Sequence, residues 1–360
     1  MKPEQTPYFL FKPKILEKNY KEFEEICKTH LNNFQIAYSV KTNSFQQLIN
    51  QLAELGSGFE TASLNEINLI PKTKKKNKTT HPFTLLNGPC KTQQEIETAI
   101  KNKFLINIDS KAEADLIAEI NKTNPLDIGL RVSPHYSKFG FDESQLLDII
   151  NYCKSKKLNI ICLHFHQGTQ QNLKEFTKNI KKIQKIIHTL TNQNQLPNLK
   201  YLDIGGGFPD KIQLKNLGAT LKEYIISIKP LTKFNKIIIL EPGRNLVADS
   251  FNLITKVHFI KQNFGENYAI LDVGINLLPK ITLSNYKFTK ILSENNLRNN
   301  NQQKQQYILA GPLLFGNDIL GKFYGDLKTN DIIRVENTGA YCYNLAWEIS
   351  YSKPKIFIQE

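Results

Sequence analysis

Short runs rich in β-branched residues alternate with amphipathic stretches along the first two thirds of the chain. The runs QIAYSV, GFETAS, FTLLNG, FLINIDS, PLDIGLRV, NIICLHFH, YLDIGG and KIIILEPG predict strands between residues 35 and 243. Between them, SFQQLINQLAEL, TQQEIETAIKN, KAEADLIAEINK, DESQLLDIINYCKSK and LKEFTKNIKKIQKIIHTLTNQ carry apolar residues at helical spacing. Helix-start signals agree: Thr92 with Glu95 makes a capping-box pattern, and Asp142 precedes a helix expected from Glu143. Strands alternating with helices imply βαβ units and a parallel sheet. Eight such units within about 200 residues predict an α/β protein built on a (β/α)₈ TIM-like barrel, with a doubly wound open sheet as the alternative.

After EPGRNLVADSF the texture changes. ITKVHFI, YAILDVG, YKFTKIL, QQYILAG, DIIRVEN and KPKIFIQ are strand-like, with few helical windows between them. The expected organisation is a barrel over residues 13–250 and a mostly β C-terminal domain, a β-barrel or sandwich, over 251–360. The N-terminal strand 1–12 is expected to join the β domain. The polar, low-complexity segment from Ser293 to Gln306 reads as a long mobile loop between strands. No repeat of fixed period is visible.

Composition narrows the class. A chain of 360 residues with 40% hydrophobic and 22% charged residues is an ordinary globular protein. No apolar run predicts a membrane span or a signal segment. Five cysteines, Cys27, Cys90, Cys153, Cys162 and Cys342, show no C-x-x-C pairing, which fits free thiols in a cytoplasmic protein. The net charge of +14 is spread through helical stretches. Its one cluster, PKTKKKNKTTHP (Pro71 to Pro82), lacks interleaved aromatics and reads as a solvated loop. Neither a nucleic-acid nor a membrane partner is expected.

A barrel gathers its active-site groups at the C-terminal ends of its strands. There this chain places Lys41, then Glu60 and Ser63, Asn87 and Cys90, Asp109 and Ser110, and Arg131 and Ser133. His164 and His166 follow in HFHQG, then Gly205, Gly206 and Gly207, and finally Glu241, Gly243 and Arg244. Taken singly, the histidines could be core residues, the glycines a turn, and Glu241 with Arg244 a surface pair. Two histidines two apart could also ligate zinc with a carboxylate. Taken together the groups describe a site for an anionic, aromatic ligand. A glycine triplet exposes backbone N–H groups to a phosphate, and Arg244 can add a forked cationic contact. His166 can stack on a planar ring, Glu241 can hold a proton on a pyridine-type nitrogen, and Lys41 can form an imine with an aldehyde. Those four features describe pyridoxal 5′-phosphate (PLP), with no metal.

The motifs YSVKTN, GFETASLNEI, NGPCK, SKFGF, HFHQGTQ, DIGGGFP, EPGRNLV, GPLLFGND and NTGAY occur in this order over nearly the whole chain. In this the chain resembles the alanine-racemase-fold (fold type III) PLP decarboxylases of basic amino acids, a group that includes diaminopimelate and ornithine decarboxylases. The resemblance implies that Lys41 is the Schiff-base lysine and that His166 stacks on the cofactor ring. Gly205, Gly206, Gly207, Gly243, Arg244 and Tyr341 would hold the phosphate. Glu241 would pair with the pyridine nitrogen, and Glu60 and Ser63 would make polar contacts nearby. It also implies a homodimer with its active sites at the interface.

The family's GP-x-C-[DE]-x-x-D loop is GPLLFGND here. Leu314 replaces the cysteine that handles the proton after CO₂ leaves, and Phe315 replaces the acid that meets the substrate's distal ammonium. INLLPKITLSNY lacks the arginine–proline pair of diaminopimelate decarboxylases. Lys280, Phe315 and Asp318 are then the candidate substrate contacts, and Cys342 a candidate replacement acid. The expected activity is amino-acid decarboxylation with an altered substrate pocket. Racemisation or epimerisation on the same fold, and a non-catalytic regulatory relative, are the alternatives.

Overall fold

The computed structural model describes residues 5–75, 78–121, 125–281, 284–291 and 304–360. The chain divides into two compact units, residues 17–246 and residues 1–16 with 247–360.

Strand β1 (Tyr8–Phe11) precedes the first of these. The unit itself holds β2 (Phe34–Ser39), β3 (Gly58–Thr61), a small antiparallel ladder of β4 (Thr73–Lys75) and β5 (Lys78–Thr80), and β6 (Thr84–Leu86). It continues with β7 (Leu105–Ile108), β8 (Leu126–Val132), β9 (Leu158–Phe165), β10 (Tyr201–Asp203) and β11 (Ile237–Leu240). Eight of these strands close a barrel in the order β2, β3, β6, β7, β8, β9, β10, β11, and every neighbouring pair is parallel. The eight expected strands are therefore all present, and the barrel rather than the open sheet is formed. The lysine-rich segment expected as a plain loop instead contains the β4–β5 ladder, where the β-branched Thr73, Thr79 and Thr80 favour extended backbone.

Helices follow the strands where the apolar spacing places them. The longest, Leu173–Asn192, buries Phe176, Ile180, Ile183, Ile186, Ile187 and Leu190 along one stripe. Each such side chain contributes about 1.5–3 kcal/mol by leaving water. Its N-cap is Asn172, whose side chain accepts from the Glu175 backbone N–H at 3.0 Å. The capping box at Thr92 forms as expected: Glu95 N–H donates to Thr92 Oγ1, and Thr92 N–H donates to Glu95 Oε2. Asp142 caps a single 3₁₀ turn, Glu143–Gln145, and the α-helix proper starts at Leu146.

The second unit is a mixed eight-stranded sheet of β1 with β12 (Phe251–Asn263), β13 (Glu266–Leu271), β14 (Lys287–Ile291), β15 (Gln305–Ala310), β16 (Ile319–Gly325), β17 (Ile332–Glu336) and β18 (Ile356–Ile358). β1 pairs antiparallel with β12 and parallel with β18. β12 pairs with β17 over its first half and, past an irregularity between Val257 and Phe259, with β13 over its second. Residues 293–303 of the expected loop lie outside the described residues, and Gln305 already begins β15. Among the described residues no helix is long and apolar enough to cross a membrane.

Candidate active site

Ala37, Leu85, Leu105, Ile161, Cys162 and Ile239 touch one another in one buried cluster. They come from five strands of a closed barrel, so they meet inside it. Side chains two apart on a strand share a face. Two residues further along those strands stand Ser39, Asn87, Asn107, His164 and Glu241, and β3 and β10 add Glu60 and Asp203. All seven are buried. The barrel interior is thus an apolar floor with a polar layer above it, toward the strand C-termini. On β8 the corresponding place is Gly129, where a Cβ would lie 1.7 Å from Asn107 Oδ1, so glycine leaves the room that amide occupies.

All of the polar layer except His164 is joined by hydrogen bonds. Asn87 Nδ2 donates to Glu60 Oε1 at 3.2 Å and to Glu241 Oε1 at 2.7 Å. Asn107 Nδ2 donates to Asn87 Oδ1 at 2.8 Å, which fixes the Asn87 amide, and reaches Asp203 Oδ2 at 3.4 Å. Asp203 Oδ1 accepts the Gly205 backbone N–H at 2.9 Å. Ser39 Oγ and Lys41 Nζ both donate to Glu60 Oε2, at 2.5 and 2.8 Å.

Lys41 lies just past the end of β2, in the 3₁₀ turn Val40–Thr42. Tyr38 Oη donates to the Asn43 carbonyl at 2.9 Å and the Asn43 N–H donates to the Val40 carbonyl at 3.1 Å, so both sides of the turn are fixed. Gly243 packs against it: a Cβ there would lie 2.1 Å from Thr42 Oγ1. The Lys41 side chain is 45% exposed whereas its partner Glu60 is buried, so the ammonium group sits at the boundary between layer and mouth.

Each buried ionisable group is balanced differently. Burial works against the Glu60 carboxylate, but the charge and hydrogen bond of Lys41, with those from Ser39 and Asn87, outweigh it and hold the pKa below the ordinary value. Burial pushes Asp203 up to about 7, the Gly205 N–H offsetting part of the rise. Burial, then the charges of Asp203 and Glu60, put Glu241 well above the carboxylate range. Burial and the positive charges of Lys41 and Arg131 lower His166 to about 4, so its ring is neutral at physiological pH. His164 is lowered further, by burial first and by Arg131 next.

The glycine triplet is required by contact. Gly205 and Gly207 have φ of +70° and +89°, and Cβ atoms there would meet the Phe165 and Gly168 carbonyls at 2.6 and 2.2 Å. A Cβ on Gly206 would lie 2.5 Å from the Glu241 carbonyl. The loop therefore packs between the HFHQG loop and the end of β11, against the elements that carry His166 and Glu241. Arg244 is buried at the start of the short helix Arg244–Val247.

Other expected site residues have different surroundings. Ser63 is the N-cap of the helix Leu64–Leu69, its hydroxyl accepting the Glu66 N–H at 3.3 Å. In the β unit, Tyr341 follows the NTGA turn with φ of +62°. That turn is pinned by Gly339, where a Cβ would lie 1.8 Å from the Val247 carbonyl. The Cys342 thiol is fully buried, 3.1 Å from Tyr286 Oη. Lys280 is half-buried beside residues 282–283, which lie outside the described residues. Phe315 is exposed. Asp318, expected as a substrate contact, is a bracket: its two oxygens accept the Ile275 and Leu313 N–H groups at 2.8 Å each. A buried carboxylate held by two backbone amides shapes its loop.

Sequence reasoning assigned no role to Asn87, Asn107, Asp203 or Lys91. Lys91 is buried, bonded to Glu113 at 2.5 Å and to the Gly88 and Asn107 carbonyls at 2.7 and 2.8 Å. It ties the loop after β6 to the end of β7. A polar residue inside an apolar run, such as Asn107 in LINID, was the available signal. His164 offers one atom within 4.8 Å of Asp203 and Glu241, and His166 is not part of that group. The two histidines thus do not form a joint ligand set among the described residues.

These residues fit PLP: an amine at the mouth, a carboxyl-bearing polar layer beneath it, a neutral imidazole and a glycine cradle that any Cβ would fill. Residues 16–248 match the family model for the pyridoxal-dependent decarboxylase, pyridoxal binding domain. The chain is 26% identical over 364 residues to diaminopimelate decarboxylase of Aquifex aeolicus, covering 95% of this chain and 83% of that protein. It is 27% identical over 378 residues to the diaminopimelate decarboxylase of Helicobacter pylori strain J99, covering 98% and 89%. A crystal structure of diaminopimelate decarboxylase from Helicobacter pylori complexed with L-lysine superposes with a TM-score of 0.83 at 25% identity, covering 99% of this chain and 92% of that one. With a matching barrel, a fitting polar layer and relatives aligned over almost its entire length, the chain belongs to the fold type III pyridoxal-dependent decarboxylases and is a PLP-dependent amino-acid decarboxylase.

Proposed function

We propose that the chain decarboxylates an amino acid whose distal end is not a cation. The observation that carries this is the loop from Gly311 to Asp318. Asp318 clamps its base, and its tip presents Leu314, 99% exposed, and Phe315. Neither side chain can form a salt bridge, so no acid at these positions selects a distal ammonium. Lys280, two residues beyond Leu278, would favour an anionic group on the substrate instead.

PLP, when bound, supplies an electron sink for the pair left at the α-carbon as CO₂ departs. Lys41 provides the amine that holds it, and Glu60 keeps that amine oriented and charged until then. Glu241 would pair with the ring nitrogen, and neutral His166 would stack on the ring. Gly205, Gly206, Gly207, Gly243 and Arg244 would hold the phosphate. Leu314 cannot donate a proton, and the Cys342 thiol is engaged with Tyr286, so we assign protonation of the α-carbon to water. A second copy of the chain is the expected partner. Leu314, Phe315, Leu345, Trp347 and Tyr351 are exposed on the β unit, and an apolar set of this kind is suited to burial in a homodimer.

The test is incubation with PLP and a panel of L-, D- and meso-amino acids in deuterated water, followed by mass spectrometry. A product that has lost CO₂ and gained one deuterium, formed from acidic or apolar substrates in preference to lysine and ornithine, supports the proposal. Efficient ornithine or lysine decarboxylation refutes the substrate class. α-Deuterium with the carboxylate retained would establish racemisation or epimerisation in its place.

A further inference from the structure

Glu60, Asp203 and Glu241 place three carboxyl groups in one buried layer, and the cation in contact with that layer, Lys41, is bonded to Glu60. Asp203 and His164 are register partners on β10 and β9, and Asp203 pairs with Ile239 on β11, two residues before Glu241. One atom each of His164, Asp203 and Glu241 lies within 4.8 Å of the others, and His164 Nε2 is 3.9 Å from Glu241 Oε2. Among the described residues, no lysine or arginine forms an ion pair with Asp203 or Glu241, and neither His164 nitrogen has a hydrogen-bond partner although the ring is buried. Donors reach the other oxygens: Asn87 reaches Glu241 Oε1 and the Gly205 N–H reaches Asp203 Oδ1.

Two carboxylates this close, buried, and without a cation are mutually repulsive unless they share a proton. We propose that Asp203 and His164 are positioning residues acting through Glu241: Asp203 shares one proton with it, and the neutral His164 ring closes the opposite side. The pair then holds one proton and one negative charge between its two carboxyls, and that single charge would be the counter-charge to a protonated ring nitrogen. This rests on the reading that Glu241 faces that nitrogen.

The groups facing the pair are few. Among the described residues they are Lys41, Glu60, Asn87, Lys91, Asn107, Arg131, the Cys162 thiol, His164 and His166, and Arg131 lies against Asp109 at 3.6 Å. The raised pKa values of both carboxyls agree with a retained proton.

Infrared spectroscopy of the protein without PLP tests this at about pH 9, where ordinary carboxyls are ionised. The wild type should show a protonated-carboxyl C=O band that shifts in deuterated water and is absent from Asp203→Asn and from Glu241→Gln. Absence of the band from the folded wild type, or its persistence in Asp203→Asn, overturns the proposal. So does stoichiometric uptake of Zn²⁺ by the PLP-free protein with loss of the band, which would make the cluster a metal site. Failure to bind PLP would sink the functional reading while leaving the infrared result to stand alone.

Discussion

Replacing Asp203 by asparagine should change how the stability of the PLP-free protein depends on pH. The folded pKa of Asp203 is about 7, raised from 3.8 by burial. The folded state therefore holds a proton that the unfolded state has lost between about pH 4 and about pH 7. Stability from this group is complete below the unfolded value and disappears as pH rises through the folded one. The displacement corresponds to about 4 kcal/mol. Asparagine keeps an oxygen for the Gly205 N–H and can donate to Glu241, so it removes the charge with little change of shape. Urea unfolding at about pH 5 and about pH 8 measures the effect through the shift in midpoint. The wild type should lose about 2–3 kcal/mol more than Asp203→Asn across this interval, the two pH units between 5 and the folded pKa of about 7. Glu66 and Glu113, also raised by burial, are present in both proteins and cancel. Curves parallel to within about 0.5 kcal/mol would refute the reasoning.

Three further outcomes follow from the same geometry. Asn87→Leu strips donors from two buried carboxylates and should cost about 3–5 kcal/mol in urea unfolding; a loss below about 1 kcal/mol would show the network is not needed. Gly206→Ala forces a methyl group to 2.5 Å from the Glu241 carbonyl, so stability should fall by about 1–3 kcal/mol and PLP binding, followed by fluorescence, should weaken; unchanged values would reject the tight contact. His166 should titrate near 4 by NMR and show no step between about pH 5 and about pH 8; a midpoint in the ordinary range would mean that burial and Lys41 do not govern it.

Much of the mouth of the barrel was legible in the sequence because its chemistry follows the strands as turn residues. Lys41 after QIAYSV, His166 in HFHQG and the glycine triplet after YLDI interrupt apolar runs, and each interruption marks a strand end. The layer beneath was legible only in part: Glu60, Asn87, His164 and Glu241 stand out at strand ends, whereas Ser39, Asn107 and Asp203 do not. Parallel strands in a barrel are covered on both faces, so their sequences read as continuous apolar runs and the inward positions leave no alternation to follow. Asn107 in LINID and Asp203 in YLD look like incidental polar residues until Leu105 and Tyr201 are seen to lie one step below them. Nor does the loop motif GPLLFGND display that the Asp318 oxygens hold the Ile275 and Leu313 amides, which only the fold brings to it.

The same layer decides which lysine variant reports on chemistry. Lys41 neutralises a buried carboxylate, so Lys41→Ala removes the cofactor's amine and also leaves Glu60 charged, buried and unpaired. Stranding such a group costs several kcal/mol in a fully buried pair; with a lysine 45% exposed the loss should be nearer about 2 kcal/mol. An inactive Lys41→Ala therefore cannot by itself separate lost chemistry from a disturbed site. Lys41→Arg retains the cation and a donor toward Glu60 but cannot bond covalently to an aldehyde at ordinary pH. Its stability should stay within about 1 kcal/mol of wild type while the visible absorbance of lysine-bound PLP and the release of CO₂ both vanish. If Lys41→Arg were as unstable as Lys41→Ala, the fit of the ammonium group rather than its charge would be what Glu60 requires. If it kept CO₂ release, Lys41 would not be the residue that carries the cofactor.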